Sequence, residues 1–109
     1  MTKVMIDSGI CGMVTTVSAH SEDGDTVLVT ADSTCPAVKK MMDDLGNEFE
    51  TFDVCMIKPG EGPFYEYASE HFPGHAGCPV CAGIAKCVEA ECHMALKKDV
   101  SIRFLNEEE

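Results

Sequence analysis

Tryptophan is missing from this chain of 109 residues, and Phe and Tyr together make up only 6% of it. A core without large rings has to be filled by Val, Ile, Met, Leu, Ala and Cys, and a hydrophobic share of 45% keeps the chain in the globular range. Basic residues are scarce: eight Lys and Arg stand against nineteen Asp and Glu, a formal charge of -11. Such a surface repels phosphate backbones and anionic lipid, which argues against nucleic acid and against a membrane as partners. No long apolar run occurs, and the opening MTKVMIDSGI contains Asp7. Neither a signal peptide nor a membrane anchor is expected, and the expected compartment is the cytoplasm. Internal repeats and a Gly-rich phosphate fingerprint are also lacking, since KPGEGP has no Lys-Ser/Thr after it. The length suits one domain, residues 1–109, with 106–109 (NEEE) reading as a frayed acidic tail.

What the chain does have is sulfur. Its seven cysteines are an odd number, which speaks against a fully paired extracellular disulfide framework. In a reducing compartment the explanations left are metal or cluster ligation, redox chemistry, and plain burial of a small soft side chain.

Alternation and turn residues organise the first third. KVMID (3–7) reads as a strand stopped by Ser8-Gly9, and MVTTVSAH and TVLVTAD (26–32) read as two more around a hairpin centred on Asp23-Gly24. Pro36 suits the first position of a helix with Cys35 as its N-cap; Ala37, Val38, Met41, Met42 and Leu45 form its apolar stripe and Gly46-Asn47 its end. Residues 48–60 are ambiguous, although VCMI resembles a short buried strand. Pro63 starts a second helix, PFYEYASEHF, with Phe64, Tyr67, Ala68 and His71 on one face, and Pro79 opens a third running to about Leu96. DVSIRFL (99–105) alternates as a final strand should. Together these predict an α+β two-layer sandwich, a small, mostly antiparallel sheet covered by two or three helices.

Two Cys-Pro pairs, at Cys35 and Cys78, each begin a helix. Helix starts carry unpaired N–H groups and partial positive charge, and both stabilise a thiolate. Cysteine is a poor N-cap beside Ser, Thr, Asp or Asn, so its use there twice suggests a need for sulfur. Cys81, three residues after Cys78, completes a Cys-x-x-Cys, and Cys11 sits in the glycine-flanked SGICG. A site of Cys11, Cys35, Cys78 and Cys81 points to zinc or an iron-sulfur cluster rather than calcium or magnesium. His75, three residues ahead of Cys78, is a possible further ligand. Cys55, Cys87 and Cys92 read as packing. Glu91 falls inside the apolar arc of its helix, so it should be paired, reach an edge, or be protonated: a candidate polar site.

SGICG, then S-x-C-P with a helix, then CPVxxGIxK with a helix together resemble a family of small cysteine-rich proteins from anaerobic bacteria and methanogenic archaea. A looser similarity exists to the small domain named after its Thr-Ser-Cys-Pro-Asp motif. The resemblance implies motif roles for Cys11, Cys35, Pro36, Cys78, Pro79, Gly83 and Lys86, and no activity. A site of three cysteines would take its fourth ligand from His75, water, another subunit or a cluster's partner. The competing expectations are a structural or interaction module, a possible homo-oligomer with buried free cysteines, and a thiol-disulfide redox protein using Cys78 and Cys81. No catalytic residue is assigned.

Overall fold

A computed structural model describes residues 1–107. Strands β1 (Thr2–Asp7), β2 (Val14–His20), β3 (Thr26–Ser33) and β4 (Glu48–Glu50) form one antiparallel sheet in the order β1-β2-β3-β4. The expected α+β sandwich is what the chain forms. In the register, Ile6 faces Thr15, Val17 faces Ala31 and Val27 faces Phe49. These residues belong to one face, because side chains alternate along each strand. That face is the core: Ile6, Val17, Ala19, Val27, Val29 and Phe49 are buried on it.

Helix α1 (Pro36–Leu45) covers β3, with Val38 and Met41 fully buried. It starts and ends where Pro36 and Gly46 require, and Gly46 takes a φ of 82° that a side chain would resist. Helix α4 (Val80–Glu91) lies over β1 and β2 and buries Val80, Cys81, Ile84, Cys87 and Val88. Between them stand α2 (Thr51–Cys55) and α3 (Gly62–His71), the latter anchored by Phe64, whose ring lies 4.7 Å from that of Phe49. On α3 the expected apolar face is only partly used: Phe64 is buried, Tyr67 and Ala68 are half-buried, and His71 is exposed.

Three expectations need correction. Val54 and Cys55 of VCMI end a short helix instead of forming a strand, because a four-residue apolar run carries no period to tell the two apart. Helix α4 stops at Glu91, five residues short of Leu96; His93 turns the chain with a φ of 61°. The segment 99–105 has strand alternation but pairs with nothing among the described residues, and Ile102 and Phe104 are 91% and 99% exposed. Of the expected acidic end, Glu108 and Glu109 lie outside the described residues.

The helix α4 seat depends on Gly83, whose absent side chain leaves room for the Ile6 side chain; a Cβ there would collide with Ile6 Cγ1 and Cδ1. Gly83→Val should therefore lose about 1–3 kcal/mol of stability through overpacking. Urea unfolding followed by circular dichroism measures it, and an unchanged midpoint would mean that the helix is not seated on β1 as described.

Candidate functional site

The direction of α4 decides which cysteines become neighbours. Near its C-terminal end, the Glu91 carboxylate accepts from the Thr2 hydroxyl (2.7 Å) and from the Ser21 amide (3.0 Å), both at one end of the sheet. Nearer its start, Gly83 lies against Ile6, toward the other end of β1. The helix thus begins at the sheet end where β1 leaves, β2 enters and β3 finishes. Cys78, just ahead of α4, arrives there.

Cys11 comes to that same end in the β1–β2 connection. The turn is closed by the Ser8 amide on the Met13 carbonyl (3.1 Å) and the Gly12 amide on the Gly9 carbonyl (2.8 Å). Gly9 and Gly12 supply the positive φ values, 86° and 74°, that bend the loop around Cys11. Cys35 follows β3. Its amide donates to Ser33 Oγ (3.0 Å), which shares a buried 2.7 Å hydrogen bond with Thr15 Oγ1. Next to it, Thr34 is stitched to Val14: its amide donates to the Val14 carbonyl and its Oγ1 accepts from the Val14 amide, both at 3.1 Å. Strand β2 therefore ties the Cys11 turn to the Cys35 junction directly.

Exposure ranks the thiols only in part. Cys11 is exposed, Cys35, Cys55, Cys78 and Cys92 are half-buried, Cys81 and Cys87 are buried, and all seven cysteines are free thiols. Cys35 is the N-cap of α1, as expected, without a side-chain cap hydrogen bond. At α4 the N-cap is Pro79, so Cys78 stands one residue farther out than a capping position. Cys81 is turned inward: it is 6% exposed, and its thiol donates toward the Phe64 carbonyl at 3.6 Å. Burial, with the nearby Cys78 adding to it, pushes its pKa up to about 11. It belongs with the core rather than with the accessible group. His75 lies in the exposed loop before Cys78. Among the described residues, no three Cys, His, Asp or Glu side chains are grouped closely enough to hold a metal ion.

The remaining cysteines are packing residues. The Cys87 thiol donates to the Thr2 carbonyl at 3.3 Å and is pushed up to about 11 by burial and then by the charge of Glu91. Cys55 rises to about 12, chiefly through burial, and Cys92 Sγ lies 3.5 Å from the Thr51 hydroxyl. The raised values make the Cys55 and Cys87 thiols poor nucleophiles and poor ligands.

Glu91 is paired, the first of the outcomes its place in the apolar arc allowed. The Ser21 amide, then the Thr2 hydroxyl, the N-terminal ammonium 3.7 Å away and His20 hold its pKa below the usual glutamate value, against an opposing effect of burial. Thr2, His20 and Ser21 were not legible as its partners, being some 70 to 89 residues away in sequence. The arrangement is a clamp that orients α4, and it lies at the end of the sheet opposite Cys11, Cys35 and Cys78.

The chain belongs to a family of unknown function, DUF6951, whose profile matches residues 2–104. No curated protein and no solved structure matches it.

Two outcomes are expected. Glu91→Ala should cost about 1–2 kcal/mol at neutral pH, the worth of hydrogen bonds to a partly screened charge. A lowered pKa stabilises the fold above the usual glutamate range, and this contribution is lost as pH falls through the lowered value. The gap between wild type and variant in urea unfolding should accordingly close in acid; a gap that widens in acid would contradict the pairing. Second, brief alkylation of the metal-free native chain should label Cys11 first and spare Cys81 and Cys87, read by peptide mass mapping. Equal labelling of Cys87 and Cys11 would contradict the burial pattern.

Proposed function

We propose that the chain is a small cytoplasmic protein that binds a soft metal, zinc or an iron-sulfur cluster, through Cys11, Cys35 and Cys78. The observation that carries this reading is that three connections far apart in sequence each bring an exposed or half-buried cysteine to the same end of the sheet. Thiolates are the ligands zinc and iron-sulfur clusters favour. Among the described residues the thiols are not grouped within ligating reach, so this reading requires them to move together on binding, which would couple metal affinity to local ordering. The Cys11 turn is the part best able to move: Cys11 is exposed, and the neighbouring Ile10 is fully exposed. Cys81 takes no part, because reaching the metal would break its place in the core. The fourth ligand is then external, whether His75, water or a group from a second molecule.

A second reading, an interaction module, draws on the exposed apolar segment after α4 and is compatible with the first. The thiol-disulfide alternative is less well supported, since the buried Cys81 thiol is pushed up to about 11.

Anaerobic purification followed by metal analysis tests the proposal. About one equivalent of zinc, or iron with visible absorbance, is expected, and Cys11→Ser, Cys35→Ser and Cys78→Ser should each weaken binding by about tenfold or more. Cys81→Ala and Cys92→Ser should leave the stoichiometry unchanged. Zinc plus iron below about a tenth of an equivalent, with no uptake on reconstitution, would overturn it.

A further inference from the structure

A groove runs beside β1, an edge strand of the sheet. It encloses about 490 Å³ between β1, the flank of α4 and the segment 95–100 that follows the helix. Its lining includes the apolar Val4, Ile6 and Leu96 and carries Lys3, Lys86, Lys97 and Lys98, together with Glu89 and Asp99. Four of the eight basic residues in a chain of net charge -11 are therefore gathered around one groove.

The same chain carries a segment with the alternation of a strand that pairs with nothing among the described residues. Val100, Ile102 and Phe104 alternate with Ser101 and Arg103, and Val100, Ile102, Phe104 and Leu105 are all exposed, at 66%, 91%, 99% and 60%. The six residues 100–105 would span about 20 Å when extended, the length of the six-residue β1. They are followed by Asn106 and three glutamates, an acidic end suited to the lysines of the groove. An open edge strand and a free apolar strand are both costly to leave in water, and pairing them satisfies both.

We propose that residues 100–105 add as a strand to the free edge of β1 in a second copy of the chain, the two copies exchanging these segments reciprocally. The occupant is a second copy rather than the same chain for a stereochemical reason. Residues 95–99 already line the chain's own groove, so the residues that follow would have to double back beside the segment they leave. Among the described residues the last positive φ is at His93, so no turn of that kind follows the segment. In the exchanged dimer Ile102 and Phe104 are covered, and Glu107 comes toward the lysines of the partner. This pairing uses the side of β1 away from β2 and does not depend on metal.

Sedimentation equilibrium of the full chain, with reductant and chelator present and protein varied through the micromolar range, tests it. A dimer is expected whose dissociation constant rises by about tenfold or more on adding salt, by screening of the lysine and glutamate pairs, and on introducing Ile102→Asp with Phe104→Asp. Because these two side chains touch almost nothing in the monomer, the variant should keep the urea midpoint of the dissociated wild type. A wild type that stays monomeric at about 100 μM, a concentration at which even weak specific pairs form, overturns the proposal, with or without slow amide exchange in residues 100–105. A dimer that survives both substitutions overturns it equally.

Discussion

The seating of α4 on the first two strands is the contact on which the rest of the architecture depends. Gly83 lets the helix approach Ile6, and Glu91 fastens the other end to Thr2 and Ser21. Apolar packing alone would fix how closely the helix sits and leave its direction less determined. A carboxylate held by one amide and one hydroxyl supplies that direction, because such hydrogen bonds tolerate little misalignment. The consequence lies at the far end: the start of α4, and Cys78 with it, is delivered to the end of the sheet where β1 leaves and β2 enters.

The sheet does the complementary work. Its covered face is built from small branched residues, as a chain without tryptophan requires, while its other face exposes Met5, Val14 and Leu28. Between β2 and β3 the buried Thr15 and Ser33 hydroxyls satisfy each other, and Ser33 also receives the Cys35 amide. Leaving either hydroxyl alone in this setting would be costly, so the pair fixes the junction where α1 begins.

Much of this was legible in the sequence, for reasons that vary by element. Strands β1 to β3 announce themselves by alternation and by Gly9 and Gly24, and α1 by Pro36 and Gly46, because these signals are local. VCMI is too short for its period to be read. DVSIRFL shows the limit of pattern: alternation states that a segment can be a strand, whereas a strand exists only when another edge receives it. Among the candidate site residues, the glycine neighbours of Cys11 and the proline neighbours of Cys35 and Cys78 made the turn and the helix starts beside them legible. The inward turn of Cys81 was not, since one residue of helix rotation separates the core from the surface. Nor were the partners of Glu91, which come from strands distant in sequence.

A correlation spectrum linking bound cadmium-113 to the cysteine β-protons tests the central claim most directly, because cadmium substitutes for zinc at thiolate sites and the spectrum names its ligands. The account predicts cross-peaks to Cys11, Cys35 and Cys78 together and none to Cys81, Cys87 or Cys55. Cross-peaks confined to other cysteines, or a cadmium signal coupled to only one of the three, would contradict it.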